Sequence, residues 1–199
     1  MPRNATPKGT SKSSRTSPRA SSKGSSHDAL RILADDHKKV LDMFDEFKEL
    51  KNDPDEEAKQ QLVEATCAEL TIHTQVEEEI FYPAARDVID EMDLLDEAEV
   101  EHAAARQLIT ELAAMEPDDD LYDARFTVLG EYVRHHIKEE EKELFPKLKK
   151  ADIDLDEIGD EIEQRKMELR EELGVSPEES EPEDDEDALA NSRSRKNLH

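Results

Sequence analysis

Tryptophan is absent from this 199-residue sequence, aromatic residues make up only 4 %, and cysteine occurs once, as Cys67. So small a supply of rings requires any core to be aliphatic and small relative to the chain. A lone cysteine excludes an intramolecular disulfide, and with it the secreted, disulfide-stapled scaffolds. Cys67 reads as a small buried hydrophobe on a helix. No apolar run approaches the roughly 20 residues of a membrane span, and none resembles the core of a signal peptide. A soluble protein of a reducing, cytoplasmic compartment is expected. Acids are missing from the first 26 residues, which instead hold Arg3, Lys8, Lys12, Arg15, Arg19 and Lys23 among Ser, Thr, Pro and Gly. That composition predicts a disordered basic tail. It is too short for many phosphate contacts, so nucleic acid is not the expected partner.

What the chain has in abundance is charge, at 40 % of residues. Beyond the tail, 21 basic residues face 53 acidic ones, a balance of minus 32. A four-helix bundle of about 120 residues suits such a sequence, because each helix buries one stripe and solvates the rest. The length fits one domain with extensions.

An internal repeat organises the chain. His73-Thr74-Gln75-Val76-Glu77-Glu78-Glu79-Ile80-Phe81-Tyr82-Pro83 has a near-copy in His136-Ile137-Lys138-Glu139-Glu140-Glu141-Lys142-Glu143-Leu144-Phe145-Pro146, offset by 63 residues. His37 precedes His73 by 36 residues and His102 precedes His136 by 34, so a helical hairpin carrying His and then His-x-x-x-Glu is duplicated. Apolar residues at three- and four-residue steps predict four long helices. The first, about 28 to 51 with Ser26 or Asp28 as N-cap, carries Leu30, Leu33, Val40, Leu41, Phe44 and Phe47 beside His37. Pro54 marks the first turn. The second, from about 56 until Pro83 interrupts it, carries Leu62, Thr66, Leu70, His73, Val76, Glu77 and Ile80, and residues 84 to 93 connect onward. The third, about 94 to 115, carries Leu95, Ala98, His102, Ala105, Ile109 and Leu112, before Pro117. The fourth, about 119 to 148, carries Phe126, Leu129, Val133, His136, Ile137, Glu140 and Leu144. At about 1.5 Å rise per residue, the loops place the four histidines level with one another, to within roughly 5 Å, in an antiparallel up-down bundle.

Spacing i, i+4 stacks His73 over Glu77 and His136 over Glu140 on single helix faces. Four imidazoles and two carboxylates in an apolar interior are costly unless paired, and a transition-metal centre pairs all six at once. Zinc, manganese and iron all accept these ligands. His135 and Glu139 share the same spacing, but the apolar stripe runs through His136, which leaves His135 at the surface. The flanking acids Glu78, Glu79, Glu139, Glu141 and Glu143 read as a solvated helix face.

With His37, His73, Glu77, His102, His136 and Glu140 in view, the sequence over about residues 28 to 148 resembles the hemerythrin-like, HHE cation-binding family. The resemblance implies a non-haem di-iron centre with Glu77 and Glu140 as bridging carboxylates. Oxygen-carrying hemerythrins place another histidine four residues after the helix-three histidine, where this chain has Arg106, which cannot ligate. They also place the helix-four carboxylate five residues after its histidine, which would be Glu141. The sequence is therefore closer to members associated with iron handling, redox stress or gas sensing, with dioxygen, nitric oxide or peroxide as small ligands. Glu69 or Glu141 is an alternative occupant of the position Arg106 vacates.

Ile153, Leu155, Ile158, Ile162, Leu169 and Leu173 predict one more amphipathic helix, ended by Gly174. It either packs back on the bundle or forms a homodimer. The expected organisation is a basic tail over 1–26, the bundle over 27–150, an accessory helix over 151–174 and a disordered acidic tail over 175–199. Three functions stay in view: a metal module for redox sensing or iron handling, a helical interaction protein with a structural metal or none, and a reversible oxygen carrier. No substrate pocket or proton-transfer group is identifiable from sequence, which argues against an enzyme.

Overall fold

A computed structural model describes residues 27–50 and 55–175. The basic tail, Ser26, the Pro54 turn and the acidic tail of the sequence reading fall outside the described residues, save for Val175. All regular structure among the described residues is helical: α1 (Ala29–Leu50), α2 (Glu56–Val76), α3 (Tyr82–Arg86), α4 (Met92–Leu112), α5 (Tyr122–Glu139), α6 (Phe145–Leu148) and α7 (Leu155–Leu173). Two five-residue π-helical segments, Glu77–Phe81 and Glu140–Leu144, join α2 to α3 and α5 to α6.

The starts of α1, α2 and α7 follow short acidic side chains that accept otherwise orphaned N–H groups. Asp28 accepts from Leu30 N–H at 2.9 Å, Asp55 from Ala58 N–H at 3.0 Å, and Asp154 from Glu157 N–H at 3.3 Å. The fourth long helix begins later than the periodicity suggests because Leu121 takes a left-handed conformation, φ 78°, that ends the preceding turn. Gly174 closes α7 in the same region, φ 66°, where glycine carries no steric penalty.

The interruption expected at Pro83 begins six residues earlier and is a π turn. Tyr82 N–H bonds to Glu77 C=O and Phe145 N–H to Glu140 C=O, each reaching back five residues. Pro83 and Pro146 therefore fall where the hydrogen-bond ladder has already slipped by one residue. In an α-helix, Tyr82 would project about 140° away from Glu77. The wider turn brings it round towards the same face, and Phe145 towards that of Glu140.

Helix α1 packs against α2 and α5, and α4 against α5 and α2, so the four long helices close a ring. At the α1–α5 crossing, a Cβ on Gly130 would sit 2.9 Å from the Phe44 ring. The core has two parts. Leu30, Leu33, Ile72, Val76, Phe81, Leu95, Ala98 and Leu144 belong to one cluster; Val40, Phe44, Leu70, Ala105, Phe126, Val133 and Ile137 to the other. Along each of these four helices, the predicted histidine falls near the point where the chain passes from one cluster to the other. A polar layer thus divides an apolar interior.

Helix α7 packs back on α1, α2 and the first π segment. Ile158, Ile162 and Leu169 are buried in the first cluster, whereas Leu173 is 49 % exposed. The close fit at its start depends on Gly159, since a Cβ there would overlap the His27 carbonyl oxygen at 1.7 Å.

Candidate metal centre

Six buried polar residues meet in the dividing layer: His37 from α1, His73 from α2, Glu77 at the first π turn, His102 from α4, His136 from α5 and Glu140 at the second π turn. Two groups of ligand atoms form, each with its members within 4.8 Å of one another: His37, His73, Glu77 and Glu140, and Glu77, His102 and His136. Glu77 belongs to both. Glu140 also approaches the second pair, with Oε2 3.6 Å from His136 Nε2.

Each imidazole is held from outside by a carboxylate on Nδ1, which turns Nε2 inward. His37 Nδ1 lies 3.0 Å from Glu141, His102 Nδ1 3.0 Å from Glu78, His136 Nδ1 3.0 Å from Glu101, and His73 Nδ1 3.5 Å from Asp36. Carboxylate–histidine pairing of this kind fixes the tautomer and raises the basicity of the inward nitrogen towards a cation. The duplication extends to these supports. The acid before the first histidine of a hairpin (Asp36, Glu101) holds the second histidine of the same hairpin. The acid after the inward glutamate (Glu78, Glu141) holds the first histidine of the other hairpin. Glu78 and Glu141 are thus partners of His102 and His37, which corrects their reading as solvated filler.

Most of the inward atoms lack hydrogen-bond partners. His37 Nε2, His73 Nε2, both Glu77 oxygens and Glu140 Oε2 are buried without a hydrogen bond. His37 Nε2 and Glu140 Oε2 are 3.2 Å apart. Burial and the neighbouring Glu140 charge push the Glu77 carboxyl well above the ordinary range. Burial also opposes ionisation of Glu140, but His37 and the other imidazoles hold it below that range. Burial pulls His37 down, yet Glu140 more than reverses this and raises it to about 9, while burial takes His73 down to about 4. A cluster with so many inward lone pairs and so few donors is matched to a cation, and imidazole–carboxylate ligation suits a first-row transition ion.

Tyr82 is the member that sequence reasoning missed. Its buried hydroxyl donates to Glu140 Oε1 at 3.0 Å and lies 3.3 Å from His102 Nε2, with its ring stacked on His102. Burial and the Glu140 and Glu77 charges push the phenol well above its usual pKa, so it keeps its proton. The aromatic residue preceding each repeated proline was the available signal, since Phe145 stacks on His37 at 5.8 Å in the equivalent place.

Other candidates lie outside the layer. His135 is 57 % exposed and faces Glu139 at 3.3 Å and Glu101 at 3.5 Å. Glu69 is engaged by Arg170 at 2.7 Å and Lys39 at 3.2 Å. Glu141 stands on the outer side of His37, and Arg106 pairs with Glu78. Cys67 is half-buried, its thiol pushed up to about 12 by burial. Beside the layer is a small apolar hollow of about 20 Å³, lined by residues that include Val40, Leu70, His73, Ala105, Val133 and His136. It admits a molecule of about the size of water.

A buried layer of four histidines and two glutamates, contributed by helices α1, α2, α4 and α5 and the two π turns, defines a cation-binding helical module. Residues 28–148 match the model of the hemerythrin HHE cation-binding domain, and the chain belongs to that family. It is 30 % identical over 114 residues to a protein named DNA nickase from Nostoc sp., a match covering 57 % of this chain but only 31 % of that protein. The fold is similar to the crystal structure of a hemerythrin HHE cation-binding domain-containing protein, the Rv2633c homolog from Mycobacterium kansasii. That likeness has a TM-score of 0.61 and 21 % identity, over 73 % of this chain and 88 % of the other. Among the described residues, no helix is long and apolar enough to cross a membrane.

Proposed function

We propose that the chain is a non-haem di-iron protein built on an antiparallel up-down four-helix bundle over residues 27–150, acting in redox or gas sensing or in iron handling under oxidative stress. The observation that carries this reading is the inward set of unpartnered atoms on His37, His73, Glu77 and Glu140, facing the His102–His136 pair across Glu77. His37 and His73 would hold one ion, His102 and His136 the other, with Glu77 and Glu140 between them. Iron there would supply electrons to dioxygen, nitric oxide or peroxide. The chain's own residues do the rest: outer carboxylates orient the rings, Tyr82 keeps a proton beside Glu140, and the apolar hollow limits entry to small molecules. Arg106, where an oxygen carrier would have another histidine, favours turnover over reversible carriage. A single cysteine is in keeping with the cytoplasm.

The Nostoc relative's name would point to DNA instead. That match covers under a third of the relative, and the acidic balance of minus 32 beyond residue 26 repels phosphate. The proposed function is tested by mixing the reduced, iron-loaded protein with dioxygen in a stopped-flow spectrometer. A stable oxidised form is expected. Return of the reduced spectrum on lowering the oxygen pressure would contradict it and restore the carrier reading.

A further inference from the structure

Three cations of α7, a helix beyond the matched family domain, reach back to carboxylates of α2, the first π segment and α1. Arg170 bonds Glu69 at 2.7 Å, Arg165 bonds Glu79 at 2.8 Å, and Lys166 Nζ bonds Asp36 Oδ1 at 2.5 Å. Only the third continues to the metal layer, because the other oxygen of Asp36 faces His73 Nδ1. Both Lys166 and Asp36 are only 14 % exposed, so bulk water screens the pair weakly. The Asp36–His73 distance of 3.5 Å is the longest of the four outer contacts, the others being 3.0 Å. Lys166 and His73 compete for one carboxylate.

We infer that Lys166 is a positioning residue of the metal centre: by drawing Asp36 towards α7, it limits how strongly His73 donates to an ion, so a helix outside the family domain regulates one of the two metal positions. The counterpart on the other pair is Arg106, which draws on Glu78 behind His102. Among the described residues, no lysine or arginine forms an ion pair with Glu141 or Glu101. Each pair therefore contains one histidine whose carboxylate is shared with a cation and one whose carboxylate is not. Removing the lysine charge frees Asp36 to accept fully from His73 and takes a positive charge away from a cation site. Both effects strengthen binding at that position.

This inference rests on the reading of the layer as a two-ion centre, and cadmium separates the two. The full chain is titrated with ¹¹³Cd²⁺ and followed by ¹¹³Cd NMR and calorimetry. Two resonances are expected from the parent protein. Lys166→Met should shift one of them and raise that ion's affinity about tenfold, within the range over which outer partners act. Arg106→Met should shift the other resonance, and Lys166→Arg should keep the parent spectrum. Arg165→Met and Arg170→Met remove comparable contacts of α7 without touching a carboxylate that holds a histidine, so both should leave the resonances in place. No bound cadmium in the parent would overturn both the two-ion reading and this inference. Two resonances that Lys166→Met leaves unmoved, a weaker ion in that variant, or an equal shift in Arg165→Met or Arg170→Met would overturn this inference alone.

Discussion

Tyr82 and Phe145 occupy equivalent places in the two hairpins, each just ahead of a proline and each with its ring over a histidine, yet only Tyr82 carries a hydroxyl. The two halves of the metal layer differ in the same way throughout. Their inward atoms repeat: Nε2 of two histidines and a carboxylate at the start of a π turn. Their surroundings repeat in the acid behind each histidine and differ beyond it. Glu140 has Tyr82 as a donor, whereas both Glu77 oxygens have none. His73 is backed by Asp36 and, behind it, a lysine of α7, and His136 by Glu101 with exposed His135 beside it. Duplication repeats the inward atoms and the acid behind each histidine, and the halves diverge in the rest of the surrounding shell. Such a shell adjusts basicity and potential without rebuilding the ligand set.

Loss of an inward ligand affects the two halves most severely. His73→Ala should cost the ion held with His37, and His136→Ala the ion held with His102, each leaving the other half loaded. Metal analysis after desalting measures this, and equal loss of both ions from either variant would show that the halves are not separable. Detaching α7 comes next, because it should destabilise the protein while sparing all six inward residues. Ending the chain after Lys150 withdraws Ile158, Ile162 and Leu169, costing on the order of 5 kcal/mol of unfolding free energy. Gly159→Ala should lower the melting temperature in the same direction, since the helix cannot keep its seat. A truncated protein as stable as the full chain would contradict that packing.

Tyr82→Phe makes the two aromatic positions alike and strands Glu140 Oε1, a loss of about 1–2 kcal/mol in the metal-free protein by denaturant unfolding. Phe145→Tyr tests the mirror case: with no partner built for its hydroxyl, it should not stabilise. The smallest effect is expected at His135→Ala. Its ring is half in solvent and makes only surface ion pairs, so bound metal and stability should stay within error of the parent.

Much of this was legible in the residues. Three- and four-residue steps place His37, His73, His102 and His136 on apolar stripes, and all four are buried in one layer. The apolar stripe favours His136 over His135, and the structure buries the first and exposes the second. The π turns were not legible as such. A proline signals that the ladder must yield somewhere, but the slip begins at Glu77 and Glu140, well ahead of Pro83 and Pro146, where nothing in the local sequence marks it. The outer carboxylates were hidden for a related reason. Glu78 and Glu141 sit in runs of glutamate that local reasoning assigns to solvent, and only the crossing of one hairpin over the other brings them to His102 and His37. Lys166 is further still, 130 residues from Asp36.

The proposed function has one buried layer holding two ions through a shared glutamate. Its most direct test is the iron content and Mössbauer spectrum of the full chain beside Glu77→Ala. Glu77 is the residue common to both ligand groups. The parent is expected to hold two irons per chain, coupled through their shared ligands, and the variant to lose both. A single iron in the parent, or two irons retained without Glu77, would contradict the account.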